Sequence, residues 1–267
     1  MGKPVKCFIV EGENRDIHFI KEMSQVFFKG RYESVVISLP AARNIYMLYE
    51  AMEKDNFETD LIELLREEVG EAREALEGVS RQNIDEVYLF FDFDIHQDNL
   101  PDGEDPMVVL EKMIRFFDNE TENGKLYVSY PMVEAIYDFK DGQCDPHTAC
   151  WYPINRIGEY KRAVGDENRK AGSHFSKYEE WQMLISIFGL RVKCLFDLGK
   201  IDFSHYKSSI TVKTVFERQK AMVEKFGLDF ILSAFPEFLL DYFRSDFWRK
   251  HITRHKHKFD NCPKDMN

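Results

Sequence analysis

At 267 residues the chain is long enough to bury a substantial core, as one large domain or two modest ones, and its 44% apolar content agrees. With 36 Lys and Arg against 47 Asp and Glu, the net charge of −11 argues against non-specific coating of nucleic acid, so any such contact is local or shared with a partner. No apolar run approaches the roughly 18 to 20 residues of a membrane span, and the first residues lack the apolar core of a secretory signal. Five cysteines, at positions 7, 144, 150, 194 and 262, fit reduced thiols better than a disulfide framework, so the expectation is a cytoplasmic protein without membrane contact.

The first strand spans Val5 to Val10, an apolar run leading into Glu11 and Gly12. Between Asn14 and Gly30, Ile17, Ile20, Met23, Val26 and Phe27 recur at helical spacing, with Gly30 as the stop. Ser34 to Leu39 is a β-branched run, closed by Pro40 before a helix over 41–52. From Phe57 to Leu76 the spacing predicts one long amphipathic helix, with Leu61, Leu64, Leu65 and Val69 on one face and Glu67, Glu68, Glu71 and Glu74 around the other. Solvated helix faces ordinarily carry such charge; a regulatory or partner-binding face is the sharper alternative.

A third strand over Glu86 to Phe91 leads into Asp92 and Asp94, followed by a polar loop over 97–105 and a helix over 107–117. Leu126 to Tyr130 forms the fourth strand, and Pro131 suits the first turn of a helix carrying Glu134. This alternation argues for an α/β fold, a parallel four-stranded sheet flanked by helices. From about Asp141 the texture changes: 141–166 is rich in Gly, Pro, Asp and aromatic residues, and helices are expected near 177–188, 211–226 and 236–250. The expected domains are therefore 1–138, the sheet domain, and 139–267, a mainly helical C-terminal lobe.

The chemistry concentrates where strands end. Side chains alternate along a strand, so Asp92 and Asp94 project to the same side, and a buried strand needs a strong reason to carry both. Two carboxylates about 4 Å apart repel by roughly 4 kcal/mol at an effective dielectric near 20. A divalent cation removes that penalty. Mg²⁺ takes oxygen ligands and is commonly held by one or two carboxylates, with waters and substrate phosphate oxygens completing its shell. Such a site suits phosphodiester chemistry.

These motifs resemble a known module. Phe8-Ile9-Val10-Glu11-Gly12-Glu13-Asn14-Arg15-Asp16 looks like the first motif of a TOPRIM domain and Phe91-Asp92-Phe93-Asp94 like its second, over roughly residues 5 to 138. The resemblance implies Mg²⁺, with Mn²⁺ as a substitute, held at the carboxyl edge of the sheet by Glu11, Asp92 and Asp94, an edge that also obeys the general rule for open α/β sheets. Ser129-Tyr130-Pro131-Met132-Val133-Glu134 is similar to the S-Y-P-x-x-E segment of TOPRIM nucleases of the overcoming-lysogenization-defect and abortive-infection type, which makes Glu134 a fourth acidic ligand. In size and domain plan the chain resembles the TOPRIM effectors of PARIS-type anti-phage systems. The implied function is a toxic, metal-dependent endonuclease cutting DNA or RNA such as tRNA, controlled by an ATPase sensor partner; the oligomeric state is left open, a homodimer on activation being one geometry that would supply two acidic sites for two strands. The third aspartate of a longer D-x-D-x-D form is missing, since the chain reads Asp92-Phe93-Asp94-Ile95-His96 and Asp98 is out of register.

Other readings stay beside this one. Glu11 alone would serve as an anion at a helix N-terminus. His96 is a loop histidine that could donate a proton, bind metal or do neither. Cys144, His147 and Cys150 invite zinc, but a structural zinc site needs about four ligands and no second close pair exists. Arg249, Lys250, Arg254, Lys256 and Lys258, interleaved with His251, His255 and His257, form the one concentrated basic segment: a phosphate contact, a solvated end or a dock for an acidic partner. Phe235, Phe238, Leu239, Tyr242, Phe243, Phe247 and Trp248 fit core packing better than base stacking. The sequence contains no phosphate-binding loop for ATP and no nucleophile elbow. Alternatives in other classes are a non-catalytic docking module of the same fold and a small primase-like nucleotidyltransferase.

Overall fold

A computed structural model describes residues 3–12, 14–40, 44–93, 95, 100, 103–138, 150–170, 175–196, 203–243, 245 and 247, with the backbone alone at 165–170, 203, 205 and 206. The chain divides into two compact units, Met1–Tyr127 and Val128–Asn267.

The first unit is built on β1 (Val5–Val10), β2 (Glu33–Ser38), β3 (Ile84–Asp92), β4 (Asp118–Asn119) and β5 (Gly124–Ser129), in the sheet order β2-β1-β3-β5-β4. Strand β1 pairs in parallel with both β2 and β3 and is buried at every residue, which explains its unbroken run VKCFIV. Lys6 is the exception in that run. Buried, it forms an ion pair with the partly exposed Glu86, which also accepts the Tyr88 hydroxyl at 2.6 Å, and its ammonium lies 4.8 Å from the Tyr32 ring centre. Burial lowers the Lys6 pKa to about 8, against the opposing pull of Asp85 and Glu120.

One irregularity sets the register of the two strands. Val5 lies opposite Ile84 but Lys6 opposite Glu86, so Asp85 is an extra residue in β3. Its carboxylate accepts the Val5 N–H at 3.1 Å.

Helices α1 (Arg15–Phe27), α2 (Ile45–Lys54) and α5 (Pro106–Phe116) bury Phe19, Ile20 and Met23, then Ile45, Tyr46, Leu48, Tyr49 and Met52, then Val109, Leu110, Met113 and Ile114. Asn44 and Asp105 cap α2 and α5 by accepting the N–H groups of Met47 and Met107. The single helix expected over 57–76 is instead two, α3 (Leu61–Glu68) and α4 (Gly70–Ala75). Val69 breaks them apart in an extended conformation, where a β-branched residue meets a glycine. The sheet has five strands rather than four because Asp118–Asn119, polar and turn-like in sequence, pairs antiparallel with the start of β5. Gly124 makes that hairpin fit: its φ is +98°, and a Cβ there would stand 2.7 Å from Leu89.

The second unit is mainly helical, with α6 (Ile157–Lys170), α7 (Tyr178–Leu195), α8 (Phe203–Ser209), α9 (Val212–Phe226) and α10 (Ala234–Tyr242). It also contains a small antiparallel ribbon, β6 (Trp151–Pro153) with β7 (Leu228–Phe230), where irregular chain was expected. The first part of the aromatic run lies in the core as anticipated, with Phe235, Phe238 and Leu239 wholly buried; Tyr242, Phe243 and Phe247 are half-buried, and Trp248 lies outside the described residues. Gln219, also wholly buried, clamps β7 by accepting the Phe230 N–H at 2.9 Å and donating to the Phe230 carbonyl at 2.5 Å. Cys7 and Cys150 are buried free thiols, and burial raises the Cys7 pKa to about 12. Cys194 is disulfide-bonded, a departure from the expectation of reduced thiols, because spacing along a chain does not report which thiols a fold brings together.

Asp229 on β7 is fully buried, and neither of its carboxyl oxygens has a hydrogen-bond partner among the described residues. Burial drives its pKa well above the usual carboxylate range. The folded state therefore binds this proton more tightly than the unfolded chain. The associated stability is complete below a pH of about 4 and is lost as pH rises through the folded value, by at most about 1.4 kcal/mol per pH unit. Asp229→Asn should flatten the fall in stability with rising pH, measured by urea unfolding of the whole chain between acid and neutral pH. An unchanged slope would show that Asp229 is not held protonated.

Candidate metal centre

Glu11 directly follows β1 and Asp92 is the last residue of β3, so parallel pairing delivers both to the carboxyl edge of the sheet. The extra residue at Asp85 matters here. It sets Val10 level with Phe90, so Asp92 stands one residue nearer to Glu11 than the Val5–Ile84 register would place it. The two residues meet: Glu11 Oε2 lies 3.5 Å from the Asp92 backbone N–H, a weak contact at the limit of hydrogen bonding. Both side chains are half-buried, and Phe93 beyond them is buried.

A third acid belongs to this edge. Asp16, in the first turn of α1, is 6% exposed, and its carboxylate packs against Gly12 so closely that a Cβ on Gly12 would lie 2.1 Å from Asp16 Oδ2. The residue after Glu11 is therefore a glycine for lack of room. Asp16 stands within the quoted motif, but sequence reading gave it no role. The available signal was the glycine, followed by an acid in the first turn of a helix whose Asn14 makes no side-chain cap.

Asp94, expected as a principal ligand, lies outside the described residues, as do His96 and Asp98. Among the described residues no group of three or more His, Cys, Asp or Glu side chains is arranged to hold a metal ion. What the edge offers is a set of carboxylate oxygens from Glu11 and Asp92, with Asp16 alongside. These are hard donors of the kind Mg²⁺ takes, and a number it accepts when waters and phosphate oxygens supply the rest.

Glu134 belongs to the second unit, on a 3-10 helix over Val133–Tyr137 rather than an α-helix, after a cis Tyr130–Pro131 bond. It is 1% exposed and ion-paired to Lys161 of α6 at 3.6 Å. The residue after that helix, Asp138, is held from two sides. Its carboxylate accepts the Tyr160 hydroxyl at 3.0 Å, while Arg191 donates to its backbone carbonyl at 2.5 Å and to the Ile231 carbonyl at 3.2 Å. Burial first, and the Asp138 charge second, push the Tyr160 pKa well above its ordinary value, so the hydroxyl remains a donor. The turn carrying Glu134 is thus fixed by buried polar contacts.

For the zinc alternative, Cys144 and His147 lie outside the described residues, and Cys150 is a buried free thiol. The basic segment from Arg249 to Lys258 also lies outside them. No helix among the described residues is long and apolar enough to cross a membrane. Comparison with protein-family models, with curated proteins and with solved structures finds no match to this chain.

The closeness of Gly12 to Asp16 is testable. Gly12→Ala should cost about 1–3 kcal/mol of stability, as overpacking does, and in an Asp16→Ala background it should cost little further. Chemical denaturation of the four proteins measures this. A Gly12→Ala variant as stable as the parent would contradict the packing described.

Proposed function

We propose that the chain is a metal-dependent endonuclease of the TOPRIM kind that hydrolyses phosphodiester bonds in nucleic acid, RNA such as tRNA or DNA. In this reading it is the toxic effector of an anti-phage system, restrained by an ATPase partner and acting as a homodimer once released. The observation that carries the reading is the meeting of Glu11 and Asp92 at the carboxyl edge of a mostly parallel sheet, where ligands of open α/β folds bind. The sequence resemblance and the hard-oxygen donor set agree with it.

Glu11 and Asp92 would hold Mg²⁺, with Asp94 as the further ligand that the sequence supplies. When bound, the ion would supply charge stabilisation at the scissile phosphate and the leaving oxygen. The half-buried setting of Glu11 suits it either to ligation or to orienting the attacking water as a base. Asp16, packed against Gly12, would fix the turn that presents Glu11. Glu134, paired with Lys161, would complete the site directly or through water, a share that its own variant tests.

The experiment expresses wild type, Glu11→Ala and Glu134→Ala in bacteria with the ATPase partner and an activating phage protein, and maps the ends of cellular RNA and DNA. New ends should appear with wild type and fall at least about a hundredfold with Glu11→Ala. Identical end profiles for wild type and a folded Glu11→Ala would overturn the nuclease reading and leave a docking module of the same fold.

A further inference from the structure

The first unit has a groove that the proposed chemistry does not use. It lies between α2 and α3 and encloses about 550 Å³, enough for several side chains. Its floor is apolar, with Leu48 and Leu64 buried beneath and Met47, 38% exposed, left standing in it. Its rim is acidic. Among the described residues, Glu50, Asp55, Glu67 and Glu68 line it beside one cation, Lys54, whose Nζ is already 2.5 Å from Glu50. Thr59 lowers the Asp55 pKa, first through its side-chain hydroxyl and then through its N–H, which donates to the carboxylate at 2.7 Å.

An apolar floor inside a negative rim selects an occupant with cationic side chains around apolar anchors. The chain carries one such segment. Residues 248–259, Trp-Arg-Lys-His-Ile-Thr-Arg-His-Lys-His-Lys-Phe, have five Lys and Arg, no acid, and Trp248, Ile252 and Phe259 as apolar anchors. A molecule bearing both halves of a complementary contact is equipped for head-to-tail association with its own copies. We propose that the α2–α3 groove is a self-association site, occupied by the basic segment 248–259 of a second copy of this chain.

The apolar anchors would cover Met47 and the leucines, while Arg254, Lys256 and their neighbours meet Glu67, Glu68 and Asp55. Charge contacts at an exposed rim are screened by salt, so the association weakens as ionic strength rises. This claim is independent of the nuclease reading, because neither Glu11 nor Asp92 lines the groove.

Sedimentation equilibrium of the whole chain tests it by charge exchange. Wild type should show a weight-average mass that rises with concentration at low salt and much less at high salt. The rim variant Glu67→Lys/Glu68→Lys should stay monomeric, as should Arg254→Glu/Lys256→Glu. The chain carrying all four substitutions should associate again, because the complementary charges are restored in exchanged places, and this arm separates lost contact from lost folding. A wild type that stays monomeric at low salt, an association that survives the rim substitutions, or a four-fold variant that stays monomeric would each overturn the proposal.

Discussion

The first unit depends on the pairing of the buried Lys6 with Glu86. A one-residue slip between β1 and β3 would turn every side chain of one strand to the wrong face, and the sheet must exclude that alternative. The ion pair does so by making one register better than its neighbours, since leaving the Lys6 charge buried and unpaired would be costly. The extra residue Asp85 makes the pair possible: it brings Glu86, and not itself, opposite Lys6, and its own carboxylate is satisfied by the Val5 N–H. The same shift carries along the strand to the other end of the sheet and sets Asp92 beside Glu11. A structural device at one edge thus determines the acidic constellation at the other.

Much of this unit was legible from period and composition. The run of β1, apolar apart from Lys6, predicts a central parallel strand, and Glu11 and Asp92 at strand ends predict a shared edge. The bulge was not legible, because Asp85 reads as an ordinary polar residue before a strand. Nor was the role of Asp16, which depends on contact with a glycine four residues earlier rather than on any periodicity. The break at Val69 was hidden by an apolar pattern that continues through it in helical phase, although the Val-Gly pair there was a local warning. Asp118–Asn119 pair only because Gly124 permits the hairpin, a tertiary constraint that overrides the weak strand preference of both residues.

The second unit was harder to read for a related reason. Its organisation rests on buried polar groups, Arg191, Gln219 and Tyr160, whose meaning comes from their partners. A sequence shows an arginine or a glutamine as surface-like by default. Gln219 instead clamps a ribbon strand and Arg191 fixes the turn that follows Glu134. Glu134 itself was found from the resemblance of its motif, and its near-complete burial beside Lys161 is something only the fold could add.

The central claim is that the carboxylates at the sheet edge hold a divalent cation, and it can be tested without any substrate. Mn²⁺, titrated into isotopically labelled whole chain, broadens the backbone amide signals nearest to where it binds. The signals of Gly12, Asp92 and Phe93 should broaden first, recover when excess Mg²⁺ is added, and stay sharp in Glu11→Ala. Broadening confined to other parts of the chain, or unchanged at these residues in Glu11→Ala, would contradict the account.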